Sequence, residues 1–92
     1  MPVRLIVTFS VQPGRADDFA RLWPERIAEV HQEPGCEQYE LFRSTSRPDT
    51  AVLLELWSSA ETLAAHGELN RTRTPIGRDL LVDRPALERF ET

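Results

Sequence analysis

Three side chains within LLELWSSAETLAAH, residues 53 to 66, are of types that transfer protons or bind aromatic molecules. Glu55 and Trp57 are two residues apart, so they share one face of a β-strand. His66 follows in a segment with helical spacing. An imidazole oriented by a carboxylate can remove a phenolic proton near neutral pH. The spacing therefore predicts a base–orienter pair of His66 and Glu55. In the alternative, Glu55 forms a structural salt bridge and His66 caps the helix or faces water.

The carboxylate of Glu55 needs a partner if its strand is buried, because an unpaired buried charge is strongly unfavourable. The available partners are Arg43 on the preceding strand, His66, and backbone N–H groups. We expect a cavity between helices and sheet, with substrate-binding walls that include Trp57, Tyr39, Glu55, Phe19 and Trp23. His66 is the predicted catalytic residue of this cavity.

The first part of the chain predicts a strand and a broken helix. Residues 3 to 11 alternate apolar and polar side chains, as a strand does. Apolar residues then recur at three- and four-residue steps over residues 15 to 31, which predicts a helix with one buried stripe. Pro24 cannot donate a helical hydrogen bond and clashes with the preceding turn, so we expect a kink or break near Trp23.

The second part predicts a hairpin and another helix. EQYELFRS, residues 37 to 44, and AVLLELW, residues 51 to 57, are alternating or apolar stretches separated by a polar connection. Ser58 is then the expected N-cap of a helix that continues to about Leu69, with Glu61 as its capping-box partner.

The tail completes the pattern. Residues 76 to 83 fit either a helical turn or a strand-like segment, and residues 86 to 91 fit a last strand. The order β-α-β-β-α-β predicts one ferredoxin-like α+β domain over residues 1 to 92. Its sheet is antiparallel, and both helices lie on one face.

Both faces of this sheet carry apolar side chains, although helices are expected to cover only one. The second face includes Ile6, Phe42, Val52, Leu54 and Leu56. A contiguous apolar patch of this size marks an interface. We therefore expect a homodimer whose two sheets pack face to face about a twofold axis. In the alternative, the tail folds over this face.

Composition and motifs exclude several classes of protein. A formal charge of −4, from 11 basic and 15 acidic residues, argues against nucleic acid or an anionic membrane as partner. Apolar runs are too short to span a membrane. Cys36 is the single cysteine, which suits a reducing cytoplasm. No metal-ligand spacing, phosphate-binding glycine loop or nucleophile elbow occurs, so no cofactor is indicated.

Three arginines are concentrated in NRTRTPIGR, residues 70 to 78. This fits a solvated loop. In the alternative, an arginine guards the entrance of a site for an anionic ligand.

EPGCEQYELFRS followed by VLLELWSSAETLAAH resembles the antibiotic biosynthesis monooxygenase (ABM) family of small dimeric α/β-barrel proteins. The family pattern is Pro-Gly-Cys, Tyr-Glu-Leu, Glu-x-Trp, and then Ser-x-Glu and Ala-His in the next helix. The residues that match this pattern are Pro34, Gly35, Cys36, Tyr39, Glu40, Leu41, Glu55, Trp57, Ser59, Glu61, Ala65 and His66. The match is close over residues 33 to 66 and loose before them.

The resemblance implies a face-to-face homodimer with a pocket between sheet and helices. It also implies a monooxygenase that oxidises a phenolic, quinol or anthrone-like small aromatic with O₂, without metal or flavin. Trp57 would line the pocket and His66 would hydrogen-bond the substrate oxygen. The second histidine that often follows Ala-His in the family is absent here. A small-molecule-binding or stress-associated barrel without turnover, and an isomerase on the same scaffold, are the alternatives.

Overall fold

The computed structural model describes all 92 residues, and its elements have the predicted order. The elements are β1 (Val3–Ser10), α1 (Ala16–Arg21), α2 (Pro24–Val30), β2 (Cys36–Arg43), β3 (Thr50–Trp57), α3 (Ala60–Asn70) and β4 (Ala86–Glu91). A short 3₁₀ turn at Arg78–Leu80 precedes β4. The four strands form one antiparallel sheet in the spatial order β2-β3-β1-β4, and the sheet does not close on itself. This confirms the ferredoxin-like α+β fold. None of the helices has the length and apolar character needed to cross a membrane.

The break in the first helical segment falls where the sequence predicts it. α1 ends at Arg21 and α2 begins at Pro24. Proline suits the first position of a helix because no intrahelical partner exists there for its missing N–H. The break leaves Trp23 at the junction, with its ring 5.6 Å from that of Phe9 and 6.4 Å from that of Tyr39. Pro24 therefore helps to place an aromatic ring over the sheet.

The start of α3 differs from the prediction by one residue. The N-cap is Ser59, not Ser58, and its hydroxyl accepts from the Thr62 N–H at 3.2 Å. The Thr62 hydroxyl in turn accepts from the Ser59 N–H at 3.2 Å, so Thr62 and not Glu61 completes the capping box. The physical reason is that the Ser58 N–H bonds to the Gly35 carbonyl at 2.8 Å, which ties Ser58 to the turn before β2.

Strand alternation divides the sheet into a buried inner face and a less covered outer face. The inner face contributes most of a cluster of 13 buried apolar residues, among them Val3, Val7, Phe9, Leu53 and Trp57. On the outer face Ile6, Val52, Leu54 and Leu56 are half-buried, and Phe42 and Phe90 are exposed. The tail packs on the inner side, where Leu80 joins the core and Leu81 bridges to Val11. It does not cover the outer face.

The turn before β2 is held by close packing against α3, and this can be tested by substitution. Gly35 has φ +79°, and an added Cβ would lie 2.5 Å from Thr62 Cγ2. Gly14 has nearly the same φ, +78°, but its added Cβ would meet nothing within 4 Å. We expect Gly14→Ala to lower the free energy of unfolding by roughly 1 to 2 kcal/mol, the cost of the left-handed conformation alone. Gly35→Ala should lower it by more. Urea denaturation measures both; equal losses would contradict the packing argument.

Candidate functional site

One large cavity lies on the inner side of the sheet. Its volume is about 860 Å³, and ten of its 19 lining residues come from the α3–β4 connection, residues 71 to 85. The apolar part of its wall includes Val7, Phe9, Trp23, Tyr39, Leu53 and Ile76. This volume is in the upper part of the range of small-molecule sites, roughly 300 to 1,000 Å³. The cavity can therefore hold an aromatic molecule of more than one ring.

His66 contributes its imidazole to this cavity and is the one buried residue of α3. Its Nδ1 lies 2.9 Å from Glu33 Oε1. An ionised carboxylate only accepts hydrogen bonds, so Nδ1 carries the hydrogen and donates it to Glu33. The lone pair of a neutral imidazole then lies on Nε2. The arrangement fixes both the tautomer and the orientation of a proton acceptor.

Glu33 is bound on both carboxylate oxygens. The Arg73 guanidinium donates to Oε2 at 2.7 Å, while Oε1 accepts from His66. The side chains of Glu33 and Arg73 are only 8% and 14% exposed, so this ion pair is shielded from solvent. Sequence reasoning missed Glu33, since its only local role is in the turn that ends α2. Only the tertiary structure reveals the role of Glu33, because it places that turn beneath α3.

Glu55 is buried and accepts its hydrogen bond from a neighbour on its own strand. The Trp57 indole donates to Oε1 at 2.9 Å. The same oxygen is 4.0 Å from His66 Nε2, which is beyond hydrogen-bond range. Burial raises the pKa of the Glu55 carboxyl, against the lowering effect of the Trp57 hydrogen bond. The imidazole is therefore oriented by Glu33, and Glu55 lies near its free nitrogen.

Arg43 does not pair with Glu55. Its guanidinium instead binds Asp17, close to the start of α1. Arg43 lies at the last position of β2, opposite Ala51, whereas Glu55 is opposite Tyr39. Four residues along a strand separate the two side chains, which excludes the predicted pairing across the hairpin.

The predicted wall residues divide into two groups. Trp23, Tyr39, Glu55 and His66 line the cavity, and Trp57 and Phe19 do not. Trp57 is fully buried behind His66, with ring centroids 4.6 Å apart. Phe19 is fully buried below Phe9 and against Gly77. His66 and Phe9 form the surface of the cavity at these two positions. The Trp57 and Phe19 rings therefore pack behind them and support the wall.

Two aromatic side chains offer hydrogen-bond donors at the wall. Burial, and secondarily Glu55, raises the pKa of the Tyr39 hydroxyl above its usual range, so the phenol keeps its proton. Trp23 Nε1 is the buried side-chain polar atom that has no hydrogen-bond partner. An unpartnered buried donor costs about 1 to 3 kcal/mol. No group of three or more His, Cys, Asp or Glu side chains is arranged to hold a metal ion.

The buried charge at Glu55 predicts a stability that depends on pH. A carboxyl whose pKa is raised by folding stabilises the protein fully below its unfolded pKa, and this stability is lost as pH rises through the folded pKa. Glu55→Gln keeps an oxygen for the Trp57 N–H and removes the charge. We expect the variant to gain stability relative to the wild type between pH 4.5 and pH 8, by urea denaturation. Glu37→Gln, on an exposed residue, is the control. A variant less stable than the wild type at pH 8 would contradict the argument.

Comparisons with known proteins agree with this fold. The family model for antibiotic biosynthesis monooxygenase matches residues 2 to 72. A search of curated proteins finds no significant sequence match. Among solved structures, Rv0793 from Mycobacterium tuberculosis is 27% identical with a TM-score of 0.82, over 100% of this chain and 95% of that one.

Two further structures are similar over nearly their whole length. A conserved protein of unknown function from Bacteroides thetaiotaomicron, described as a possible oxidoreductase, is 30% identical with a TM-score of 0.80, over 99% of this chain and 97% of that one. A protein from Caulobacter crescentus, provisionally named an antibiotic biosynthesis monooxygenase, is 26% identical with a TM-score of 0.81, over 99% and 89% of the two chains. The family model covers most of the sequence, and the chain therefore belongs to the antibiotic biosynthesis monooxygenase family.

Proposed function

We propose that this protein is a monooxygenase that uses O₂ to oxidise a phenolic, quinol or anthrone-like small aromatic without metal or flavin. The observation that supports this most is the oriented imidazole of His66 on the wall of an aromatic-lined cavity. Its family supports the same class of reaction, since a relative of known structure is named for it.

The first step is removal of the phenolic proton. His66 Nε2 accepts the proton, and the positive charge on the imidazolium is balanced by Glu33, which already holds Nδ1 at 2.9 Å. Arg73 keeps the carboxylate of Glu33 in place. The protonated hydroxyl of Tyr39, which lines the same cavity, is available to donate to the substrate oxyanion.

The second step is oxidation of the anion by O₂. The electron-rich anion transfers one electron to O₂, and the two radicals combine at a ring carbon. The resulting peroxide anion takes back the proton held by His66 to give a hydroperoxide. Loss of water from this carbon leaves a carbonyl group. One oxygen atom enters the product and the other leaves as water, with two hydrogens taken from the substrate. The contribution of the protein is a placed base and a cavity that limits the access of water.

Oxygen uptake tests this activity. We expect the wild-type protein to consume O₂ with 1-naphthol or anthrone and to form the corresponding quinone. His66→Gln should slow turnover by about a hundredfold or more, since it removes the general base. His31→Gln is the matched control, because the His31 ring bonds only to the Tyr39 backbone carbonyl at 3.1 Å.

The readouts are an oxygen electrode and the absorbance of the quinone, each corrected for spontaneous oxidation of the substrate. The His66→Gln variant should still bind the substrate. No enzyme-dependent uptake over a broad panel of phenols, quinols and anthrones would contradict the proposal, and binding without uptake would favour a carrier. Equal rates for His66→Gln and the wild type would exclude His66 as the base.

We further propose that two copies of the chain form a homodimer through the outer faces of their sheets. This face presents Ile6, Val52, Leu54, Leu56, Phe42 and Phe90, none of them fully buried within one chain. Burial stabilises each large apolar side chain by roughly 1.5 to 3 kcal/mol, so covering this patch favours association. A second identical patch is the simplest complement, because a twofold contact is self-complementary.

Analytical ultracentrifugation tests the dimer. We expect a dimer at micromolar concentration, and a monomer after Leu54→Glu, which places a charge in the centre of the patch. Val82→Glu is the control: it changes an exposed apolar residue that lies outside the sheet. A wild-type monomer, or a Leu54→Glu variant that stays dimeric, would contradict this interface.

A further inference from the structure

The arginines of this chain are distributed unevenly between paired and unpaired positions. All 11 basic residues are arginines. Seven of them form salt bridges, and Arg4 hydrogen-bonds to Gln38. Only Arg47, Arg78 and Arg84 have no side-chain partner. Two of these three, Arg78 and Arg84, line the cavity described above.

The charge of the cavity is opposite to that of the whole protein. The chain has a net charge of −4, but four arginines line the cavity against two carboxylates, Glu55 and Asp83. Arg26 and Arg73 are not available to a ligand, because Arg26 donates to Glu29 and the Thr74 carbonyl and Arg73 holds Glu33. The guanidinium groups of Arg78 and Arg84 therefore carry the excess positive charge.

The backbone that carries these two arginines is anchored. Gly77, with φ +61°, turns the chain directly before Arg78, and an added Cβ there would lie 2.8 Å from the Phe19 ring. Leu80 is buried, and its carbonyl accepts from the Gln12 N–H at 2.8 Å. The Val82 N–H bonds to the Ser10 carbonyl at 2.8 Å, two residues before Arg84. These contacts hold the backbone of residues 77 to 84, the rim of the cavity, next to β1.

We infer that the substrate is an aromatic acid, with a hydroxyl group at one end for His66 and a carboxylate at the other for Arg78 and Arg84. This inference rests on the proposed function. A guanidinium matches a carboxylate in shape and can bind it through two parallel N–H donors. The cavity of about 860 Å³ leaves room for a ring system that spans from the imidazole to the rim.

Binding of a matched ligand pair tests the inference. The probes are 6-hydroxy-2-naphthoate and 2-naphthol, which share the hydroxylated ring and differ in the carboxylate. By isothermal titration calorimetry in low salt, we expect the naphthoate to bind at least about tenfold more tightly, as charge-assisted hydrogen bonds predict. The preference should decrease at high ionic strength, because both arginines are exposed to solvent.

Variants identify the residues that cause the preference for the naphthoate. We expect the double variant Arg78→Gln/Arg84→Gln to lose the preference for the naphthoate while its affinity for 2-naphthol is unchanged. Arg47→Gln is the control, since Arg47 is exposed, also lacks a side-chain partner and lies outside the cavity. It should leave both affinities unchanged.

Equal affinity of the wild type for both ligands, no binding of either, or a preference that survives in the double variant would overturn the inference. The outcome is separable from that of the proposed function. Oxygen uptake with uncharged phenols but no carboxylate preference would reject the aromatic acid and leave the monooxygenase. An arginine-dependent preference without any oxygen uptake would support the acid-binding rim and reject the monooxygenase.

Discussion

The structure depends on how two buried carboxylates are satisfied around one imidazole. Glu33 is held by Arg73 and His66, and Glu55 is held by the indole of Trp57. An unpaired charge in such a place costs several kcal/mol, so each partner stabilises its carboxylate as well as fixing its position. The hydrogen bonds of Glu33 join the turn after α2, helix α3 and the α3–β4 connection, and strand β3 is added by the packing of Trp57 against His66. The packing of these four segments therefore determines the geometry of the site.

This arrangement explains why the cavity can be both stable and chemically useful. The donors that satisfy Glu33 also fix the tautomer of His66, so no reorganisation is needed before a proton is accepted. Behind the imidazole, Trp57 fills the space that water would otherwise enter. The α3–β4 connection encloses the opposite side and brings two unpaired arginines, Arg78 and Arg84, to the rim. The oriented imidazole and the position of the two arginines thus follow from ordinary requirements of pairing and packing.

The pattern of the sequence predicted the elements well, and it predicted their contacts less well. Alternation placed the strands to within one residue, and Pro24 located the helix break. The capping box was displaced by one residue because Ser58 and Ser59 both suit an N-cap, and only the bond from Ser58 to the turn before β2 distinguishes them. Arg43 was a reasonable partner for Glu55 by charge, but its register on β2 directs it to Asp17.

The sequence by itself determined the order of strands and helices, the apolar character of both sheet faces, and the need of Glu55 for a partner. These follow from local periodicity and from the cost of burying a charge, which act on short segments. Tertiary structure alone decided that Glu33 orients His66, that Arg73 holds Glu33, and that Trp57 lies behind the wall. Such contacts join residues 33 or 40 positions apart, and no local pattern encodes a distance of that kind.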